Sequence, residues 1–286
     1  MSGPQQRRRT VPGLPAPDRC LVIGVLNVTP DSFSDGGLYL DTETAVAHGR
    51  ALAAAGADLI DVGGESTRPG AGRIDAAEER SRVEPVVRAL VAAGLLVGID
   101  TTRAEVAAAA LAFGAVLVND VSAGAADPDM VHVVAAARVP YVLMHSRGPS
   151  SDMADRAHYT DVVGEVAQEL RDCRDAAVAA GVEPDRIVLD PGLGFAKNAE
   201  HNWTLLRALP ALHALGHPLL IGGSRKAFLG RLLADERGLR PVAEREAATT
   251  ALTALAAAGG VWAVRVHAPR GSRDAVEVAA ALAGTT

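Results

Sequence analysis

With 286 residues, 49% of them hydrophobic and 22% charged, the chain has the material for a substantial core and does not read as a disordered polymer. A formal net charge of −6 argues against broad electrostatic binding to nucleic acid. No apolar run approaches the roughly 18 unbroken residues of a transmembrane helix.

The first ten residues, Met1 to Thr10, are basic, and no apolar stretch of the kind found in a secretory leader follows them. Pro12, Gly13, Pro15 and Pro17 continue the segment, so residues 1–18 read as a disordered arm and residues 19–286 as a single domain. Two cysteines, Cys20 and Cys173, show no metal-ligand spacing and read as unpaired thiols of a reducing, cytoplasmic compartment.

From Leu21 onward, short apolar strands alternate with helical stretches. The expected strands are Leu21–Leu26, Asp58–Val62, Leu95–Ile99, Ala115–Val118, Pro140–Met144, Ile187–Leu189, Leu219–Ile221 and Val261–Val266. Their Val, Ile and Leu content suits strands buried on both faces. The expected helices are Thr44–Ala55, Ala76–Ala93, Ala104–Phe113, Pro128–Ala137, Asp161–Ala180, Ala199–Ala214, Lys226–Leu233, Glu244–Ala258 and Ser272–Leu282. Ala55-Gly56, Ala93-Gly94 and Ala180-Gly181 mark helix ends. Eight such units in this length predict an α/β fold, a single-domain (β/α)8 TIM barrel. A doubly wound open sheet is the alternative, but the first strand lacks a G-x-G-x-x-G turn and no switch point stands out.

Strand after strand stops at a polar residue. In a parallel α/β fold these ends share one face, where active sites lie. Asn27 ends the first strand; it either caps that strand or offers the neutral oxygen that suits Mg²⁺. The second loop, Gly63 to Ala71, carries Thr67 and Arg68, which face an anionic ligand or form a solvated turn. Asp100, Asn119 and Asp190 end strands three, four and six. Each alone suits a helix cap; three together suit the donor and acceptor edge of a flat heterocycle. Ser224, Arg225 and Lys226 open a helix after a glycine turn, at a position that favours anions, without the spacing of a P-loop. Arg265 and His267 alternate by two, share one side of the last strand and suit a phosphate. No H-E-x-x-H pair and no G-x-S-x-G elbow is present, which disfavours a zinc hydrolase and an α/β-hydrolase.

Eight ordered stretches then resemble dihydropteroate synthases, the folate-pathway enzymes inhibited by sulfonamides. They are Gly24–Gly37, Asp61–Ala71, Ile99-Asp-Thr, Val118-Asn-Asp-Val, Met144-His, Asp190–Lys197, Gly223–Gly230 and Arg265-Val-His. The segment Asp190 to Asn198 with His201-Asn-Trp looks like the actinobacterial branch. The resemblance implies a homodimeric (β/α)8 barrel that joins 6-hydroxymethyl-7,8-dihydropterin diphosphate to 4-aminobenzoate with Mg²⁺, releasing pyrophosphate. It implies that Asp100, Asn119, Asp190, Lys226 and Met144 hold the pterin and that Asn27 meets the metal. It places Arg68, Arg265 and His267 on the diphosphate. Thr67, Arg68, Pro69, Phe195 and Ser224 would border the 4-aminobenzoate pocket, and Phe33 and Asp35 belong to a closing first loop. Catalysis would fall to Lys226, Arg265, His267, Asp100 and Asp35. Ala268-Pro269 follow His267 where the family usually has Asp-Val, which bears on how His267 is supported. Two other readings are a pterin-dependent methyl-transfer barrel and a catalytically silent pterin-binding barrel. Retention of the second loop and of Ser224-Arg225-Lys226 favours the synthase.

Overall fold

A computed structural model describes residues 10–29, 38–65, 73–148 and 155–284, with side chains from residue 42 in the second stretch. Eight parallel strands alternate with helices: β1 (Leu21–Asn27), α1 (Leu38–Ala54), β2 (Leu59–Gly63), α2 (Ala76–Ala92), β3 (Val97–Asp100), α3 (Ala104–Ala112), β4 (Leu117–Asp120) and α4 (Met130–Ala137). They continue with β5 (Tyr141–Met144), α5 (Val162–Ala179), β6 (Ile187–Asp190), α6 (Ala199–Arg207), α7 (Leu209–His213) and β7 (Leu220–Ile221). The last are α8 (Ala227–Leu232), α9 (Glu246–Ala258), β8 (Ala263–Val266) and α10 (Pro269–Leu282). The ladder runs β6-β5-β4-β3-β2-β1-β8-β7. A parallel bridge from Leu189 to Leu219 joins its two ends, so the expected (β/α)8 barrel is the observed architecture.

Two apolar layers hold it together. Leu21, Ile23, Leu59, Leu117, Val142, Val188 and Leu220 fill the lower barrel interior, and Val22, Ile60, Val118, Leu143, Ile187 and Leu189 pack outward against the helices. Side chains alternate across a strand. The inward positions therefore continue from Leu59 to Asp61, from Leu117 to Asn119, from Val142 to Met144, from Val188 to Asp190 and from Ala263 to Arg265. These inward rows start apolar at the bottom and turn polar at the top, except on β5, where Met144 keeps the row apolar.

Several strands run further than their apolar runs suggest. Asp100, Asn119, Asp120 and Asp190 lie inside β3, β4 and β6, because the neighbouring chain keeps accepting and donating past the last apolar residue. Thr101 N–H donates to Asn119 O at 3.1 Å, and His145 N–H donates to Asp190 O at 2.9 Å. The helix expected over Ala199–Ala214 breaks at Ala208, where Pro210 has no N–H to donate back along the helix. Gly56, Gly94 and Gly181 all take positive φ where helices end, as the Ala-Gly pairs suggest.

Residues 10–18 differ from the expected arm. Val11 is 2% exposed and, with Leu14 beside it, closes the bottom of the barrel interior against Leu21 and Trp262. Pro12 O accepts from Arg186 at 3.3 Å. Prolines restrict this segment, and the apolar side chains between them supply the burial that orders it.

Candidate active site

The polar tops of the inward rows converge at the C-terminal mouth. Asp100 and Asn119 are register partners on β3 and β4, and Met144 and Asp190 are partners on β5 and β6. Arg265 reaches across from β8. Its Nε donates to Asp61 Oδ2 at 2.6 Å and its terminal nitrogen donates to Asp100 Oδ2 at 2.6 Å. Asn119 Nδ2 also donates to Asp61 Oδ2, at 2.9 Å. Burial pushes the Asp100 carboxyl upward, against the pull of Arg265, and Asp61 adds to the rise. Burial pulls the Arg265 guanidinium down, yet Asp100 and Asp61 outweigh it and raise it above its ordinary range.

On the opposite wall, Asp190 Oδ1 accepts from Gly192 N–H at 2.7 Å. Burial raises its pKa, partly offset by Lys226. Lys226 precedes α8, donates to Leu193 O, and sets its ammonium 4.5 Å from the centre of the Phe195 ring. Burial lowers this lysine to about 8, with Asp190 pulling the other way. Ser224 is buried; its Oγ accepts from His267 N–H at 3.2 Å and lies 3.0 Å from His267 Nδ1. Ser224 thus supplies the support of His267 that Ala268-Pro269 lack. Pro269 instead starts α10, where its fixed φ suits a first helical turn.

The loop 191–197 between Asp190 and α6 is folded around Lys197, which is 8% exposed. Its ammonium donates to Gly192 O at 3.2 Å and Phe195 O at 3.0 Å, and lies 2.7 Å from His145 Nδ1. Burial drops Lys197 to about 7. His145 Nε2 lies 2.8 Å from Glu169 Oε2, and burial with Lys197 nearby drops His145 to about 4. Gly192 takes φ +65°, and a Cβ there would fall 1.9 Å from His145 O, so only glycine lets the two loops meet.

The second loop is pinned on both sides. Arg103 holds Glu65 before it, at 2.7 Å, and Ile74 O after it, and also pairs with buried Glu79. Thr67, Arg68 and Pro69, like Phe33 and Asp35 of the first loop, lie outside the described residues. Asn27 closes β1 beside Gly63, partly exposed at the mouth. Among the described residues no three His, Cys, Asp or Glu side chains cluster as a metal cage. Mg²⁺ keeps waters and takes few protein groups plus substrate phosphates, so the one neutral oxygen of Asn27 fits that donor set.

The structure therefore brings Asp100, Asn119, Met144, Asp190, Phe195, Ser224, Lys226, Arg265 and His267 to one end of the barrel. It adds Asp61, Lys197 and His145, whose roles the motifs left unassigned. Asp61 has a signal in the sequence: it lies two residues beyond inward Leu59, in the same phase as the other site carboxylates. Lys197 has none, because its contacts depend on how the loop folds back.

The pterin binding enzyme family model matches residues 23–267. Dihydropteroate synthase from Mycobacterium leprae is 58% identical over 262 residues, covering 91% of this chain and 92% of that protein. The structure of Xanthomonas albilineans dihydropteroate synthase with 4-aminobenzoic acid superimposes with a TM-score of 0.86 at 46% identity, covering 93% of this chain and 94% of that one. That of the Yersinia pestis dihydropteroate synthase with a sulfonamide drug complex gives 0.88 at 37% identity, covering 97% and 99%. With these matches spanning nearly its whole length, the chain belongs to the dihydropteroate synthase family of pterin-binding enzymes.

Proposed function

We propose that the chain condenses 6-hydroxymethyl-7,8-dihydropterin diphosphate with 4-aminobenzoate, giving 7,8-dihydropteroate and pyrophosphate. One observation carries this reading. The buried acceptors Asn119 and Asp190, the half-buried acceptor Asp100 and the donor Lys226 gather at the barrel mouth, with Arg265 bonded to Asp100.

Asp100, Asn119 and Asp190 hold the ring edge of the pterin, Lys226 donates to it and Met144 lines the slot. Arg265 and His267, the latter steadied by Ser224, and Arg68 of the second loop face the diphosphate. Asn27 would hold a bound Mg²⁺, which would supply neutralisation of charge on the departing diphosphate. Breaking the carbon–oxygen bond leaves positive charge delocalised into the pterin, which Asp100 and Asp190 stabilise from fixed positions. The amine of 4-aminobenzoate forms the new carbon–nitrogen bond and then loses a proton. No protein nucleophile is required. Thr67, Pro69, Phe195 and Ser224 border the arylamine, where sulfonamides compete, and Phe33 and Asp35 of the first loop close over the reactants and exclude water.

The family resemblance supports a homodimer. Exposed Leu255 on α9 and exposed Val278 and Leu282, four apart on α10, are apolar surface of the type an interface covers. Cys20 and Cys173, which form no disulfide among the described residues, suit a cytoplasmic location. No helix among the described residues is long and apolar enough to cross a membrane.

The test is incubation of the purified protein with the pterin diphosphate, Mg²⁺ and 4-aminobenzoate, following pyrophosphate and pteroate. Product that requires all three supports the synthase; pterin binding without product would favour a silent barrel.

A further inference from the structure

We infer that Asp61 is a positioning residue that decides which hydrogen-bonding edge the site presents to the heterocycle. The inference rests on the synthase reading of this same mouth. Asp61 lies on β2 with 1% of its surface exposed. Its Oδ2 receives two donors at once, Arg265 Nε at 2.6 Å and Asn119 Nδ2 at 2.9 Å.

The consequence at Asn119 follows from amide chemistry. An amide carries donors on one side and an acceptor on the other. An oxygen that already accepts from Arg265 has no proton to give, so Asn119 must turn its NH₂ toward Asp61. Its Oδ1 then faces away from Asp61, toward the slot bounded by Asp100, its register neighbour. Asn119 therefore reads the ligand as an acceptor. With Asp100 and Asp190 beside it, the mouth is built to accept from N–H groups of a flat ring. A ring that offers acceptors at that edge is rejected.

The consequence at Arg265 is orientation. Asp61 takes Nε and Asp100 takes a terminal nitrogen, and two contacts on different atoms of one planar group fix its plane. Asp100 alone would leave the fork free to rotate. The second oxygen, Asp61 Oδ1, is buried with no hydrogen-bond partner among the described residues. Gly98 makes its space, since a Cβ there would fall 2.9 Å from Oδ1. A buried polar oxygen left without a partner is costly to folding. Its retention points to a function for the pair of contacts on Oδ2.

The experiment is steady-state kinetics of Asp61→Asn with both substrates varied, alongside its thermal midpoint and a cycle with Asn119→Ala. Asn at 61 has the same shape but either amide edge to offer, so Asn119 loses its fixed orientation. The expected result is a KM for the pterin diphosphate raised by about tenfold, the worth of one fixed hydrogen bond, with the KM for 4-aminobenzoate within about twofold of wild type. Within the cycle, Asp61→Asn and Asn119→Ala combine to less than the sum of their separate effects, because part of the Asp61 effect runs through the Asn119 amide and the rest through Arg265. A merely structural role would lower the thermal midpoint and leave both KM values in place. A folded Asp61→Asn enzyme with unchanged pterin KM, or with fully additive effects in the cycle, overturns the inference. If Asp61→Asn does not fold, Asp61→Ser, which keeps an acceptor in less volume, is read by the same criteria. Wild-type protein that makes no pteroate would instead overturn the synthase reading, so the two failures are distinguishable.

Discussion

The ammonium of Lys197 lies 2.7 Å from Nδ1 of His145, joining the loop after β6 to the loop after β5. The same ammonium holds Phe195 O, and the Phe195 ring faces the Lys226 ammonium. Lys197 therefore holds in place the loop whose Phe195 is proposed to border the arylamine, without needing to touch a substrate. Replacing it with Met removes three contacts and keeps the stem. Lys197→Met is expected to raise the 4-aminobenzoate KM by about tenfold, the loss of roughly one to two hydrogen bonds, and to move the pterin KM less. Equal effects on both constants, measured by steady-state kinetics, would exclude this role.

Lys197 also predicts a pH dependence of stability. The unfolded chain keeps this lysine protonated up to about 10.5, and the folded chain only to about 7. Between those values the unfolded state binds more protons, so stability rises with pH. Chemical denaturation at pH 7 and pH 9.5 should show this increment in the wild type and a smaller one in Lys197→Met. An identical increment in both would mean Lys197 titrates normally.

Lys226→Ala tests the machinery directly. Its ammonium is the cation paired electrostatically with Asp190 at the mouth. Turnover should fall about 100-fold or more, as when one fixed donor is removed from a reacting centre, with the far-ultraviolet circular dichroism spectrum unchanged. Unchanged turnover would remove Lys226 from the mechanism.

Gly192→Ala tests the contact between the loops. The left-handed conformation costs a non-glycine residue about 1–2 kcal/mol, and the new methyl would collide with His145 O. The variant should lose both stability and pterin affinity, read by thermal melting and ligand titration. Wild-type values for both would show that the loop re-forms easily.

Val11→Ala separates stability from function. It truncates a buried side chain at the bottom of the barrel, the end away from the site. The expected loss is about 1–2 kcal/mol on denaturation, with kcat unchanged. A variant as stable as wild type would show that residues 10–14 contribute little to the core.

The barrel was legible because its signals are local. Each strand is a short run of Val, Ile and Leu, each helix has its own period and stop, and eight repeats leave few ways to bury so many apolar faces. Strand ends were less legible, since Asp100, Asn119 and Asp190 read as residues after a strand. The ladder continues through them only because a neighbouring strand offers partners. The break at Ala208 was visible in Pro210, but local helix propensity on either side masked it.

The sequence by itself determined the eightfold repeat, the polar residues at one end of each strand and, through ordered motifs, the family. The tertiary structure decided which of those residues meet. Asp61, Asp100, Asn119 and Arg265 are separated by up to 204 positions in the chain, yet share hydrogen bonds of 2.6–2.9 Å. Barrel closure, side-chain reach and loop path set such contacts, and no local pattern encodes them. Val11 makes the same point in reverse: its prolines and glycine read as an arm, and only the open bottom of the barrel gives it a place to be buried.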